Sequence, residues 1–400
     1  MARLPLRYSL RNLARRRLRT LLTMLGLALV VSAIVFMLAF STSLASNFRD
    51  TGDPDNIIII SKKAQTTALS SIADKDCDLI KSKLFDVART FKLDEESDGE
   101  PEPLISQEVY IGLNVKVQDA KAFRTGLQRA VFHGVDPDLV FRVNSNLRLV
   151  KGRPPRQDML ELLVGKTAAT RIGVKTEDLS VGAKLTLLNQ TWTVVGEFEA
   201  RGTIMDSEIL THVNDLRLHL KRQDYSFIKV KLKDKSRAEE ICKQLSLDEQ
   251  FGVKAFPERV YFADYAEGFD YFLTFANAMA LIISIGGIVA GMNTMYTAVM
   301  GRIREIGTLQ IIGFSKRAVL VGIITESVII ALVSGAIGCG LGYLANGLPM
   351  KIPMAAFRVN VSAQVILLAM GASLLIGLVG AFIPASRALR LRMVDAVRHQ

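Results

Sequence analysis

Residue types that could do chemistry are scattered through this sequence, and the first to test is a candidate phosphate-binding loop. Residues 163–167 read LVGKT, like the end of such a loop. The full motif needs a glycine five residues before Gly165, because backbone amides there cradle the phosphates, and Leu160 occupies that position. We therefore predict a strand that ends in a turn and a helix, and no nucleotide site.

The other candidates for catalysis are histidines and a serine nucleophile. Two of the histidines are seven residues apart, but no cysteine or Glu-x-x-His pattern lies near them to complete a metal site. The four histidines, which we expect to pack or lie at the surface, are His133, His212, His219 and His399. No G-x-S-x-G pattern is present. The sequence predicts no enzyme, no metal site and no cofactor site, so any ATP involved would be bound by another chain.

Four long apolar stretches organise the chain. Residues 20–44, 276–300, 318–345 and 361–383 each run for about twenty residues or more with almost no charge. Each is long enough to cross a hydrocarbon core of about 30 Å as a helix. The sequence therefore predicts an α-helical membrane protein with four transmembrane helices.

Positive charge is concentrated beside these stretches. Residues 1–19, 301–317 and 385–400 together more than account for the net charge of +11. Such clusters mark the cytoplasmic side of a membrane and argue against nucleic-acid binding. Both termini are therefore predicted to be cytoplasmic. A cleaved signal peptide is the alternative for the N-terminus, but its charged and apolar parts are both too long for one.

The stretch between the first two spans is composed like a soluble domain, and this topology puts it outside. Predicted strands are 57–60, 104–117, 130–135, 161–164, 184–188, 191–198 and 225–232, and predicted helices are 77–90, 215–220 and 237–245. They indicate a large α+β domain of two lobes, inserted between helices 1 and 2. The predicted domain limits are 1–46, 47–268 and 269–400. Whether Cys77 and Cys242 pair stays open, because they lack motif spacing.

Small and polar residues interrupt the second and third spans at helical spacing. Glycine or serine recurs every four residues, so a neighbouring helix can approach closely. The residues predicted to pack in this way are Gly287, Gly291, Ser334, Gly338 and Gly342. Asn293 can hydrogen-bond across helices. For Glu326, about two turns above Arg317, a contact with the interface or a neighbouring helix is favoured over a proton or substrate path.

Several segments carry a family resemblance. Residues 286–317 read GGIVAGMNTMYTAVMGRIREIGTLQIIGFSKR, and the further matching segments are 12–31, 326–344, 384–398, 150–157 and 181–200. In them the chain resembles the permease subunit of MacB/FtsX-type ABC transporters: its spans, its C-terminal tail and its periplasmic core domain. Gly301 and Met393 depart from the pattern, since an acidic residue and a proline are common there.

The resemblance implies a multi-pass permease of the bacterial inner membrane that works by mechanotransmission. Two copies would pair, as a homodimer or with a paralogue, above ABC ATP-binding subunits that are separate chains, whereas MacB itself carries a fused ATPase. Closure of the ATPases would be relayed through residues 302–312 to the spans and the periplasmic domain. The implied coupling residues are Arg302, Arg304 and Glu305 for charge contacts, and Ile306, Leu309 and Ile312 for an apolar anchor.

Three functions fit this resemblance. The first is export or periplasmic handling of a substrate, with a periplasmic adaptor protein as a candidate partner. The second is release of lipoproteins by the same architecture. The third is an FtsX-like signalling scaffold that regulates a periplasmic partner. The size of the exported region, residues 47–268, favours the first two, since a scaffold could use a smaller one.

Overall fold

The computed structural model describes residues 17–92, 101–118, 128–268, 270–300, 308, 311–352 and 356–388. The chain divides into two compact units. The helical unit is drawn from Met1–Ser43, Tyr271–Leu348 and Val359–Gln400, and the α+β unit from Leu44–Asp270 and Pro349–Arg358. The limits predicted from the sequence, 1–46, 47–268 and 269–400, stay a prediction.

The helices of the described residues are of two kinds, long apolar ones and short ones. They are α1 (Arg17–Arg49), α2 (Asp74–Leu84), α3 (Pro137–Val143), α4 (Ala168–Ile172), α5 (Val213–Leu220), α6 (Ala238–Leu247), α7 (Glu258–Glu267), α8 (Asp270–Met300), α9 (Lys316–Tyr343) and α10 (Ala363–Ala388). Within α1, α8, α9 and α10 lie four segments long and apolar enough to span a membrane. The prediction of four such helices, with a large α+β domain between the first and second, is confirmed.

The strands belong to the α+β unit. They are β1 (Asn56–Ser61), β2 (Ile72–Ala73), β3 (Thr90–Phe91), β4 (Glu102–Pro103), β5 (Ile105–Val117), β6 (Gln128–Val135), β7 (Arg148–Gly152), β8 (Glu161–Gly165), β9 (Lys184–Leu187), β10 (Gln190–Glu199), β11 (Ile209–His212), β12 (Asp224–Tyr225), β13 (Phe227–Lys231), β14 (Val253–Pro257), β15 (Pro349–Lys351) and β16 (Ala356–Arg358). The strands and helices predicted inside the domain are confirmed with ends that differ by a few residues, except that the helix predicted over 77–90 ends at Leu84 and Thr90 begins β3.

One sheet of ten strands forms the backbone of this unit. Its order is β14-β1-β13-β5-β6-β11-β8-β10-β7, with β9 paired to both β10 and β5. The long strand β5 is shared: its first residues pair with β13, its middle with β6 and its end with β9. Segments from the two ends of the domain meet here, because β1 lies between β13 and β14.

Strand β1 shows why its sequence is an unbroken run of isoleucine. Ile57 and Ile59 belong to the main core, together with Ile241 of α6. Ile58 and Ile60 point to the other face, where they pack with Tyr261 of α7. A strand that is covered on both faces needs apolar side chains at every position, so its pattern does not alternate.

The main core also contains the cysteines whose pairing the sequence left open. Cys77 and Cys242 are both buried, and both thiols are free. Burial raises the pKa of each thiol to about 12, so both stay protonated at neutral pH.

The hairpin of β15 and β16 joins the α+β unit although it lies between the third and fourth spans in sequence. Phe357 and Ala356 are buried, and the Thr167 hydroxyl donates to the Ala356 carbonyl at 3.0 Å. These contacts are long-range, so local sequence could not reveal them.

The helical unit is held by close helix contacts. A Cβ on Gly335 of α9 would lie 2.8 Å from the sulfur of Met370, and one on Gly377 of α10 would lie 2.6 Å from the Cβ of Ala331. The Ser373 hydroxyl of α10 donates to the Ala331 carbonyl of α9 at 2.8 Å. Glycine at the crossing allows the two backbones to approach.

Candidate functional site

The α+β unit encloses a cavity of about 360 Å³, which is within the range of ligand pockets. Strands β5, β6 and β13 form one wall, and the 3₁₀ segments Thr67–Leu69 and Ile204–Ser207 contribute to others. Its aromatic residues are Phe48, Tyr110, Phe227, Tyr261 and Phe262. The cavity therefore offers a mainly apolar surface.

The last turn of α1 is built into this wall. The Asn47 side-chain amide donates to the Gly202 carbonyl, and the Thr51 hydroxyl accepts from the Ile204 amide at 3.1 Å. These two bonds fix Phe48 between them, where it is 1% exposed and lines the cavity. The last turn of α1 thus bonds to Gly202, and Thr51, two residues past the helix end, bonds to Ile204.

His133 of β6 lies in the wall between two buried carboxylates. Its Nε2 is 2.6 Å from Glu108 Oε2, and its Nδ1 is 3.0 Å from Glu208 Oε2. A carboxylate accepts hydrogen bonds, so both ring nitrogens must carry protons and the ring is an imidazolium. The Tyr110 ring meets it edge-on, with centroids 5.4 Å apart.

The electrostatics agree with this assignment. Burial by itself lowers the pKa of His133, but the charge and hydrogen bond of Glu108, followed by those of Glu208, raise it to about 9. For Glu108, burial raises the pKa, and Lys229 and His133 more than offset that and hold it below its usual value. Glu108 and His133 are therefore both ionised at neutral pH.

Lys229 of β13 lines the same cavity and is held by α7. Its Nζ lies 2.8 Å from Glu258 Oε1 and donates to Asn144 Oδ1 at 2.8 Å. Glu258 also accepts from the Asn56 side chain at 2.8 Å and from the Asp53 amide at 2.9 Å. Burial lowers the pKa of Lys229, but the charges of Glu258 and Glu108 raise it overall.

Arg171 of α4 differs from these two cations. It lines the cavity, is 7% exposed, and donates through Nη1 to the Ser207 hydroxyl at 2.9 Å. Among the residues that the structure describes, no carboxylate oxygen lies within 4 Å of its guanidinium. Arg171 is thus a buried cation with a neutral partner.

The LVGKT segment serves a structural purpose beside Arg171. It forms the end of β8, a turn and the start of α4, as the sequence predicted. A Cβ on Gly165 would lie 2.3 Å from the Asp206 carbonyl, so only glycine fits. The Lys166 ammonium is paired with Glu199 at the surface, and the Thr167 hydroxyl is bonded to the β15–β16 hairpin.

The residues predicted to pack in the spans all lie in the helical unit. A Cβ on Gly338 would be 2.6 Å from the Ala28 carbonyl, and one on Gly342 would be 2.6 Å from the Cβ of Val35. A Cβ on Gly287 would lie 2.8 Å from Val30. Gly291 is 3.8 Å from Ile376 by the same measure. Ser334 is fully buried.

The remaining predicted site residues are Asn293, Glu326 and the six residues of the coupling helix. Asn293 is exposed, and its carbonyl accepts from the Thr297 hydroxyl at 2.7 Å. Glu326 is 9% exposed and lies on α9. Ile312 is 69% exposed. The other five residues of the predicted coupling helix lie outside the described residues: Arg302, Arg304, Glu305, Ile306 and Leu309.

Sequence reasoning missed the charged residues of the cavity and treated His133 as an ordinary packing residue. One local signal was available. In the predicted strand at β13, Lys229 and Lys231 share a face with Phe227, and the opposite face carries Ile228 and Val230. Lysines at buried positions of a central strand need buried partners.

Comparisons with known proteins agree with this architecture. A family model described as the MacB-like periplasmic core domain matches residues 20–246, and one described as FtsX-like permease C-terminal matches residues 277–393. The macrolide export ATP-binding/permease protein MacB of Bdellovibrio bacteriovorus is 24% identical over 97% of this chain and 60% of its own length. The uncharacterized ABC transporter permease YknZ of Bacillus subtilis is 31% identical over 32% of each chain.

Among solved structures, the extracellular domain of the noncanonic ABC-type transporter YknZ from Gram-positive bacteria covers 50% of this chain and 99% of its own, at 13% identity and a TM-score of 0.35. The chain spans less than two thirds of the length of the MacB relative above.

Four apolar helices with a large α+β domain after the first define a class of membrane permease. Because the two family models together cover most of its length, the chain belongs to the MacB/FtsX family of ABC transporter permeases.

Proposed function

We propose that the protein couples ATP hydrolysis in the cytoplasm to movement of its α+β unit on the other side of the membrane. In this mechanism no substrate passes through the spans. The movement drives export or extraction of a substrate, and a macrolide is a reasonable first probe because a relative of this chain is named for macrolide export.

The observation that carries the proposal is the course of α1. This helix contains an apolar segment long enough to span a membrane. Asn47 in its last turn bonds to Gly202, and Thr51, two residues past its end, bonds to Ile204 in the wall of the cavity. A helix transmits axial displacement because its backbone hydrogen bonds run along its length. A shift of the span would therefore reach Gly202 through Asn47 and, through Thr51 just past the helix end, Ile204.

The proposal includes partners and a location. An ABC ATP-binding domain, outside these 400 residues, would supply the hydrolysis and contact residues 302–312. A second permease copy would complete the transporter, and an adaptor protein is a further candidate. We place the protein in the bacterial inner membrane with both termini in the cytoplasm, because its positive charge lies beside the spans.

The test is reconstitution of the full chain in proteoliposomes with its cognate ATP-binding protein. ATP hydrolysis and transport are measured together. In the double variant E305Q/L309A we expect hydrolysis to continue while transport falls by about tenfold or more, since loss of a charged and an apolar contact weakens docking by 2 kcal/mol or so. The matched control is T308S in the same segment, which we expect to behave as the unchanged protein.

Normal transport and normal stimulation of hydrolysis in E305Q/L309A would refute the coupling role of residues 302–312. Hydrolysis that responds to a periplasmic partner while no substrate moves would favour the signalling scaffold. A reporter fused at Thr203 that is active in the cytoplasm would overturn the topology.

A further inference from the structure

The cavity in the α+β unit has a charge pattern that a purely structural cavity does not need. Among the described residues its lining carries the cations Arg129, His133, Arg171, Lys229 and Lys351 and the single carboxylate Glu208. His133 is committed to Glu108 and Glu208, and Lys229 to Glu258. Among the described residues, neither Arg129 nor Arg171 of this lining has a carboxylate oxygen within 4 Å.

Arg171 is the most informative of these cations, because it is buried and its guanidinium donates a hydrogen bond to a neutral hydroxyl, that of Ser207. An ionised side chain that is taken out of water is expensive unless an opposite charge or several hydrogen bonds compensate it. For His133 and Lys229, carboxylates of the same chain supply the opposite charge. For Arg171 the described residues provide no carboxylate within 4 Å, so an anion bound in the cavity would compensate its charge directly.

The rest of the lining indicates which other chemical groups such an anion would have. Phe48, Tyr261 and Phe262 form an apolar side, and Thr66, Thr67 and Ala68 form an edge that is partly or fully exposed. A small inorganic anion would leave the apolar surface unused. A neutral apolar compound would leave Arg171 uncompensated.

We propose that this cavity binds an amphipathic anion, whose carboxylate or phosphate pairs with Arg171 and whose apolar body packs on the aromatic side. Arg129 adds attraction at an exposed position, where its guanidinium lies over Gly112. Guanidinium groups suit this task because their planar donors match the oxygen pairs of carboxylates and phosphates. Binding needs no ATP and no partner chain, so it stands apart from the proposed transport.

The test is isothermal titration of the full chain in nanodiscs of phosphatidylcholine, with empty nanodiscs subtracted. The probes are octyl phosphate, octanoate, octanol and inorganic phosphate. We expect octyl phosphate or octanoate to bind at one per chain, and the stronger of the two identifies the acidic group. Octanol and inorganic phosphate should bind at least about tenfold more weakly, since each lacks half of the recognition.

Two pairs of variants locate the site. R171M should weaken octyl phosphate by roughly tenfold or more and leave octanol unchanged, whereas R148M, at an exposed arginine of β7, should change neither. A68F should block the edge of the cavity and weaken all binding, whereas L69F, at the next residue and outside the lining, should have no effect. Fluorescence of the single tryptophan, Trp192, reports whether each variant is folded.

Equal binding of octanol and octyl phosphate would overturn the proposal, as would inorganic phosphate binding as tightly as octyl phosphate. Wild-type affinity in A68F would also overturn it, because the ligand would then lie elsewhere. If R171M does not fold, the comparison of A68F with L69F and of the charged with the neutral probe still decides the outcome.

Discussion

The helical unit and the α+β unit differ in where their large apolar side chains lie. In the helical unit glycines such as Gly338 and Gly342 leave no room for a Cβ against the neighbouring helix, while large side chains such as Leu25 and Leu29 are exposed. In the α+β unit the largest side chains, among them Trp192 and Phe132, are fully buried. Lipid does not drive apolar side chains inward as water does, so close backbone approach takes over that task.

The two units also differ in how they treat charge. In the α+β unit Glu108, His133, Lys229 and Glu258 are 3% exposed or less, and each has a charged partner. The candidate spans of the helical unit contain very few charged residues. Glu326 is a buried carboxylate of the helical unit, whereas the buried ion pairs named above lie in the unit that also contains the cavity. The predictions below test whether each unit depends on its own mode of packing.

The largest effect is expected from breaking a buried ion pair. K229M leaves Glu258 charged and buried without its cation, which should lower the free energy of unfolding of the α+β unit by about 3–5 kcal/mol. Thermal unfolding followed by Trp192 fluorescence measures it, because this residue is fully buried in that unit.

The matched control for this prediction is K83M, which removes a pair with Asp248 whose lysine side chain is 46% exposed. It should cost about 1 kcal/mol or less, since water screens the charges. Equal losses in K229M and K83M would show that burial of the charges does not matter.

A second effect concerns pH and tests the same buried charges. The pKa of His133 is about 9 in the folded protein, above its ordinary 6.5, because Glu108 of β5 and Glu208 before β11 outweigh its burial. The raised pKa stabilises the fold fully below pH 6.5, and this contribution is lost as pH rises through about 9. It amounts to roughly 3 kcal/mol at most.

Melting temperatures between pH 6 and 10 check this sign. The Trp192 transition should fall to lower temperature as pH rises above about 7, and H133Q should flatten that dependence. A wild-type transition that moved to higher temperature over the same range would contradict the imidazolium assignment.

In the helical unit, close packing of the helices is tested by adding a methyl group at a glycine. G338A brings a Cβ to within 2.6 Å of the Ala28 carbonyl, a backbone atom that cannot rotate away. We expect a loss of about 2–3 kcal/mol from overpacking. G340A, where nothing lies within 4 Å, should cost nothing or slightly stabilise the helix.

Far-UV circular dichroism of the full chain in detergent measures this loss. The Trp192 signal should stay unchanged in G338A, because that residue belongs to the other unit. Equal stability of G338A and G340A would mean that close helix approach does not hold the helical unit.

The contrast between the units also explains what the sequence could predict. Membrane spans are recognised by their length and their lack of charge, and small residues four apart mark one face of a helix. Both features are local in sequence, so they could be predicted without the structure. Strands of the α+β domain were predictable for the same reason, since alternation and Gly or Pro boundaries are local. The β15–β16 hairpin was not, because its partners lie about 190 residues away in α4.

The candidate site was hidden for the same physical reason. Glu108, His133 and Glu208 are brought together by the pairing of β5 with β6 and of β6 with β11. No spacing rule connects residues that are 25 and 75 positions apart. Arg171 gives even less warning, because its importance lies in the absence of a nearby carboxylate in the described part of the fold.

The smallest effect is expected where α1 enters the α+β unit. T51V removes the hydroxyl that accepts from the Ile204 amide and leaves that buried donor unsatisfied, at a cost of about 1–2 kcal/mol. T51S keeps the hydroxyl and should be near neutral. T42V removes a hydroxyl that donates to the Leu38 and Ala39 carbonyls of its own helix, and it serves as the second control.

Stability and coupling should separate in these variants. If α1 relays movement through this bond, T51V should reduce substrate-stimulated ATP hydrolysis in the reconstituted transporter, while T51S and T42V should not. Thermal unfolding followed by Trp192 fluorescence measures the loss in free energy of unfolding caused by T51V. This loss should be well below that of K229M, so the T51V protein should be folded under the assay conditions. Full stimulation in a folded T51V protein would show that movement reaches the α+β unit by another route.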